Sequence, residues 1–444
     1  MTELGTAPAG AVLRHRRGWY LYGWGSHVFP TIVVTVFMGR YLTSLAENAV
    51  GKAGRVSVVG IPVAPGSLFA YLVSFATVLL VVAMPVVGAI ADRTGAKREI
   101  LLGFGWLGAA ACVAMFAVRG GNWQLGAVLF VVAFLGYSCA TVVNYALLVD
   151  VSGTAERDRV SSTGWALAYV GGGLLLAGDF LLSLFLDDKA LLARISLCSA
   201  GLWWALFNLR SWQLLAGLPR TEASSGAEPV LLAGFRQLRR TLAGVRRYPL
   251  TVAFLLAFLV YNDGIQTVTT IAAQYGDKEL HLDDTVLLSA ILLVQFVAFG
   301  GALWLGRLAE RFGAKRVVLG SLVAWLLLVL AAYLVRAGTA WQFYLLAVGI
   351  AVVLGGSQAL SRSMFSRLIP AGSEAEYFGF YEISDSGTSW LGPLIFGLAY
   401  QLSGSYRSAL VSLVVFFVAG FVLLARVPLR AAICQAGNVA PDRV

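Results

Sequence analysis

The segment Gly88-Ala89-Ile90-Ala91-Asp92-Arg93-Thr94-Gly95-Ala96-Lys97-Arg98 returns 218 residues later as Gly306-Arg307-Leu308-Ala309-Glu310-Arg311-Phe312-Gly313-Ala314-Lys315-Arg316. Of the 11 positions 7 are identical, and Asp92 is replaced by the like-charged Glu310. Trp123-Gln124 recurs as Trp341-Gln342 at the same shift, so the register holds through the apolar stretch that follows each copy. A repeat of so long a period means that one half of the chain was built like the other. Between long apolar stretches, it points to a two-fold transporter with its substrate site between the halves.

The composition agrees. The chain is 59% hydrophobic and 13% charged, where a soluble protein carries about 25% charge. Its mean hydropathy is +0.79. Stretches of about 20 apolar residues read as bilayer-spanning helices. The sequence predicts twelve, at about 19–44, 67–91, 99–118, 123–149, 160–186, 191–216, 250–275, 285–308, 316–336, 341–367, 376–402 and 407–426. The expected fold is therefore all-α and membrane-embedded, with two pseudo-symmetric six-helix bundles. The 49 glycines suit helices that approach one another closely in a membrane.

The net charge of +10 invites a nucleic-acid reading, but its distribution opposes it. If both termini face one side, that side holds 24 of the 33 Lys and Arg residues and the other holds 9. This is the positive-inside bias, which puts the termini and the Arg-rich middle loop in the cytoplasm. The expected location is a bacterial inner membrane. Arg14, Arg16 and Arg17 before the first apolar run resemble a signal peptide, yet the run is too long, lacks a small-residue cleavage site and precedes eleven more spans. Cys112, Cys139, Cys198 and Cys434 show neither paired nor metal-ligand spacing and read as packed thiols. No metal or cofactor is expected.

Residues 1–217 and 250–444 form the two bundles in this reading, and 218–249 is the linker between them. Within the linker Leu231, Phe235, Leu238, Leu242 and Val245 recur at helical spacing with Arg236, Arg239, Arg240, Arg246 and Arg247 between them. That is a basic amphipathic helix suited to the anionic inner leaflet, so membrane lipids are expected partners.

The doubled loop after spans 2 and 8 is similar to that of the major facilitator superfamily. A narrower resemblance, to its vacuole effluxer-like branch, is carried by Tyr261-Asn262-Asp263-Gly264-Ile265-Gln266-Thr267, Gln295-Phe296-Val297-Ala298-Phe299, Gln358-Ala359-Leu360-Ser361-Arg362-Ser363 and Phe378-Gly379-Phe380-Tyr381. Named eukaryotic members of that branch export amino acids from the vacuole. The resemblance also implies that Gly88, Asp92, Arg93, Gly95, Lys97 and Arg98, with Gly306, Glu310, Arg311, Gly313, Lys315 and Arg316, latch the cytoplasmic side. Asp150, Glu156, Arg157, Asp158 and Arg159 are available as partners. Positive charge alone would serve topology; Asp92 and Glu310 oppose that sign and favour the latch.

Ionisable residues inside spans are the candidate site, because a charge at the bilayer centre costs about 2.5–3.5 kcal/mol and normally faces a cavity or a partner. Asp263 lies roughly 19 Å into span 7 at helical rise. Asn262, Gln266, Thr267 and Thr270 accompany it at helical spacing. Glu382 and Asp385, with Ser386 and Ser389, form a second polar stripe in span 11. Arg362 in span 10 is a natural ion-pair partner for Glu382. Asp263 and Asp385 have no evident cationic partner, which makes them the candidate proton- or substrate-binding acids. Gln295, Gln358 and Asn144 are candidate hydrogen-bonding groups. In span 1, Tyr22, Ser26 and His27 are expected at cavity depth and Pro30 at a kink, although a lone histidine is equally a packed polar side chain. Asp179 in span 5 has no evident partner and ranks below the other two acids.

Two departures from the branch matter. Its usual Tyr-Asp-Trp-Ala-Asn-Ser pattern reads Tyr22-Gly23-Trp24-Gly25-Ser26-His27 here, and its usual span 11 lysine is Ser386. A lysine is a natural carboxylate anchor, so an amino-acid substrate does not carry over. The resulting expectation is a proton-coupled exporter of a small polar or amphipathic solute that functions as a monomer. The competing readings are a transport-inactive receptor and a multi-span enzyme acting on lipid-linked substrates. The first would lose the doubled loop, and the second would need a large catalytic loop.

Overall fold

The computed structural model describes residues 9–152, 157–218, 248–368, 381 and 390–438. Nine stretches among them are long and apolar enough to cross a membrane. Three shorter apolar helices, Pro65–Leu80, Leu167–Ser183 and Leu391–Ser403, fall on the expected spans 2, 5 and 11. The linker helix and the first part of span 11, with Glu382 and Asp385, lie outside the described residues.

Span 1 is longer and less regular than expected. Helix α1 (Ala9–Ser26) passes at His27 into a π-helical segment, Phe29–Met38, and then into α2 (Gly39–Val50). Pro30 sits in the first turn of that segment. It has no N–H to bond the preceding turn, and the wider π-helical winding is one way a helix absorbs such a defect. The expected kink is thus a change of helical winding. A two-stranded antiparallel hairpin follows, β1 (Val56–Val58) and β2 (Ile61–Val63), turning at Val59-Gly60, where both φ angles are positive.

Helices α3 (Pro65–Thr94), α4 (Lys97–Ala114), α5 (Trp123–Val151), α6 (Arg157–Ser183) and α7 (Lys189–Leu214) follow, at the expected spans 2 to 6. The second set comprises α8 (Pro249–Lys278), α9 (Asp284–Phe312), α10 (Ala314–Leu334), α11 (Ala340–Ser366), α12 (Leu391–Ser403), α13 (Tyr406–Ser412) and α14 (Val414–Arg426). A tail helix, α15 (Leu429–Gln435), follows. The sequence repeat reappears in the backbone: Gly95 and Gly313, equivalent positions before α4 and α10, both take positive φ. A side chain there would be strained, which explains the glycine in each copy.

Contacts divide the chain into two compact units. Unit 1 holds Met1–Gly54 and Leu79–Gln237; unit 2 holds Arg55–Val78 and Leu238–Val444. The hairpin and the first part of α3 therefore pack within unit 2, although by sequence they belong with the first six spans. There Ser67 Oγ donates to the Gly397 carbonyl at 2.9 Å, Ser74 Oγ to Trp390 at 2.9 Å and Gln274 Nε2 to Gly66 at 3.3 Å. Side-chain-to-carbonyl bonds of this kind tie membrane helices together.

Close helix packing rests on glycine. A Cβ on Gly136 of α5 would stand 2.9 Å from Gly108 Cα of α4, and one on Gly355 of α11 would stand 2.5 Å from the Ala298 carbonyl oxygen of α9. The core of unit 1 gathers Trp19, Tyr22, Leu80, Met84, Leu101, Cys139, Val143 and Leu147.

Candidate functional site

The expected site residues separate into a cluster in each unit. In unit 1, α1, α5 and α6 line a small, partly open cavity of about 50 Å³, bordered among others by Trp19, Ser26, His27, Tyr137, Thr141 and Asn144. The Trp19 indole N–H donates to the Asn144 carbonyl at 2.8 Å, joining α1 to α5. Asn144 Oδ1 is buried with no hydrogen-bond partner among the described residues, so it is an acceptor awaiting a donor at the cavity wall. The space is polar and roomy enough to admit water. His27 lines it and meets Tyr169 edge-on, ring centroids 4.9 Å apart.

Tyr22 departs from expectation. It is 1% exposed and packs in the core of unit 1 instead of lining this cavity. Its position one turn before Ser26 made the two look equivalent, but a helix face is chosen by its neighbours, and here the apolar body of the ring is buried.

In unit 2 the polar stripe on α8 is divided between two neighbours. Asn262 Oδ1 accepts from Gln358 Nε2 of α11 at 3.2 Å, and Tyr261 OH bonds Ser361 Oγ of α11 at 2.6 Å. Asp263, one residue on and about 100° around the helix, turns instead to α12. Its Oδ2 accepts the Gly392 N–H at 2.8 Å, and the carboxylate is 4% exposed. The partner unseen in the sequence is thus a backbone N–H, a type of donor that residue identity cannot reveal. Thr267 also lies on this side, its hydroxyl donating to the Asp263 carbonyl at 2.7 Å.

Gln266 and Gln295 are half-buried, as is Arg362 on α11, whose expected partner Glu382 is outside the described residues. Tyr381 is described, and its ring stacks on Phe258 of α8 and Phe365 of α11 at 4.4 and 5.0 Å between centroids. Tyr381 therefore has a packing role. Asp179 is buried on α6, its Oδ2 without a partner among the described residues.

Lys97, Arg98 and Lys315 of the basic loops each make contacts within their own unit. Lys97 pairs with Asp150 of α5 at 2.9 Å, as the sequence allowed. Arg98 donates to the Trp212 carbonyl at 2.9 Å, its guanidinium lying over the Trp212 ring. Lys315, the repeat of Lys97, donates instead to the carbonyls of Ala425 and Val427, at 2.9 and 2.7 Å, closing the end of α14. A cation at a helix C-terminus is favoured by the exposed carbonyls. Gly306, Arg311 and Arg316 are described in the second loop, while the side chains of Asp92, Arg93 and Glu310 and the surroundings of Gly88 lie outside what is described.

Comparison with known proteins places this arrangement. The family described as vacuole effluxer Atg22 like matches residues 13–437. An uncharacterised MFS-type transporter, YxiO of Bacillus subtilis, is 29% identical over 94% of this chain and 95% of its own. Autophagy-related protein 22 of Eremothecium gossypii is 26% identical over 92% and 90%. Among solved structures, a D-xylose-proton symporter superposes with a TM-score of 0.66 at 13% identity, covering 94% of this chain and 97% of its own. The nucleoside transporter NupG gives 0.65 at 14% identity, with 96% and 99% covered. These two likenesses show the fold. The chain is a multi-pass membrane protein of the major facilitator fold and belongs to the Atg22-like vacuole effluxer family of transporters.

Proposed function

We propose that the protein is a proton-coupled secondary active transporter that exports a small polar or amphipathic solute by alternating access. Its two bundles are residues 1–217 and 250–444, joined by the linker 218–249, and it works as a monomer in a bacterial inner membrane with both termini in the cytoplasm. The doubled basic loop holds the cytoplasmic side closed during part of the cycle. The observation that carries the coupling is Asp263, a carboxylate buried in the middle of a membrane helix and paired with no cationic side chain among the described residues. Nature keeps so costly a group in a span for a function. Asn262, Gln266, Gln295, Gln358 and Arg362 in the second bundle, and Asn144 and His27 in the first, supply the surrounding hydrogen-bonding groups. Asp385 and Glu382 add acidity on span 11, which favours a cationic or zwitterionic solute over an anion.

The test begins with the metabolites retained by cells lacking the protein and depleted in cells overproducing it. A solute found in both lists is then offered to proteoliposomes bearing a proton gradient. Asp263→Asn is expected to abolish gradient-driven accumulation, a loss of at least about tenfold, while solute exchange without a gradient continues. Gradient-driven accumulation at the wild-type rate in that variant would remove Asp263 from coupling.

A further inference from the structure

The contact between Asp263 and α12 has a specific construction. Helix α12 starts at Leu391, with Gly392 in its second position and Pro393 in its third. The N–H groups of a first helical turn have no partner within the helix. Pro393 has none to offer, and the Leu394 N–H already bonds the Trp390 carbonyl at 3.1 Å. Gly392 therefore presents a free donor, and Asp263 Oδ2 takes it at 2.8 Å. The approach depends on glycine: a Cβ on residue 392 would collide with Thr267 Oγ1 and would lie 2.9 Å from both the Asp263 carbonyl oxygen and Oδ1.

The two carboxylate oxygens consequently differ. Oδ2 is engaged by the helix start, whose dipole favours negative charge. Oδ1 is buried and has no hydrogen-bond partner among the described residues. Among the described residues no charged side chain is bonded to either oxygen; the donors that face the carboxylate from the start of α12 are the Gly392 N–H at 2.8 Å and, beside it, the Leu391 N–H. A substrate ammonium needs several donors' worth of open space to reach Oδ1, whereas a proton needs one hydrogen-bonded water.

Resting on the transport reading above, we infer that Asp263 is a proton site and not a substrate contact, with Gly392 as the positioning residue that seats it. A hydronium on an adjoining water passes one proton to Oδ1 and leaves water behind; no other bond is made or broken. The carboxylate becomes a neutral carboxyl, and its charge-assisted bond from Gly392 weakens to an ordinary one, about half as strong. Loading the proton thus loosens the tie between α8 and the start of α12. Both helices lie in unit 2, so the signal passes from span 7 to span 11 inside one unit.

Infrared spectroscopy of the full-length protein in lipid tests this without any substrate. Wild type should show the C=O stretch of a protonated carboxyl that appears on acidification, and Asp263→Asn should lack that band. Replacing the Gly392 amide by an ester, with glycolic acid at residue 392 in cell-free translation, removes only the N–H. This should move the band and change the proton concentration at half-amplitude about tenfold. If the Asp263 band is missing in wild type at every pH where the protein stays folded, the proton site is overturned. If the band is present but indifferent to the ester, the Gly392 seat is overturned. Neither result touches transport itself, which the proteoliposome assay judges separately.

Discussion

At the residue scale, the repeat preserves identities more faithfully than roles. Lys97 and Lys315 occupy equivalent places, yet one pairs with a carboxylate and the other with two helix-terminal carbonyls. Asp150 is where the difference arises, because it brings an acid within reach of the first lysine only. The Lys97–Asp150 pair is partly buried, with side chains 15% and 29% exposed, so it exceeds an open surface pair without approaching a fully buried one. A double-mutant cycle of Lys97→Met and Asp150→Asn, followed by thermal unfolding in detergent, should give a coupling of about 0.5–1.5 kcal/mol. Additive effects would show that the pair contributes nothing to unit 1. Asp263 makes the complementary point. Its burial was legible from its depth in an apolar run, while its partner was not, since any residue type carries a backbone N–H.

Among elements, helix spacing is set by what is missing from the contact. Gly136 and Gly108 let α4 and α5 touch along their backbones, and Gly355 does the same between α11 and α9. Membrane helices gain little from hydrophobic transfer between one another, so such close contact supplies much of their association. Gly136→Leu should overpack this seam at a cost of about 1–3 kcal/mol. The measurement is the midpoint of thermal unfolding, which should fall, with Gly103→Leu as control because nothing lies within 4 Å of a Cβ there. Equal midpoints for the two variants would mean that the seam opens without penalty. The apolar runs announced where these helices are. They did not announce the π-helical winding after Pro30 or the break between α13 and α14, because both are adjustments to neighbours and leave hydropathy unchanged.

For the whole molecule, charge asymmetry makes a claim that can be tested in intact cells. With 24 of the 33 Lys and Arg residues expected inside, a cysteine placed at Ser225 should react only with reagents admitted to the cytoplasm. One placed at Lys52, an exposed residue between α2 and β1, should react with an impermeant reagent from outside. The opposite labelling pattern would invert the topology.

The sequence by itself determined the predominantly helical membrane architecture, the doubling of the chain and the family, because these depend on one-dimensional quantities: apolar run length, charge sign and the spacing of repeated residues; it did not show the short β-hairpin. It also singled out Asp263, since an acid deep in an apolar run is conspicuous without coordinates. Only the tertiary structure decided that Asp263 seats on Gly392, that Asn262 turns to Gln358, that Tyr22 belongs to the core and that residues 55–78 pack within unit 2. Each of these depends on which neighbour a helix face meets and on backbone donors left free at a helix start. Neither is encoded at the position concerned; both arise when segments distant in the chain are packed together.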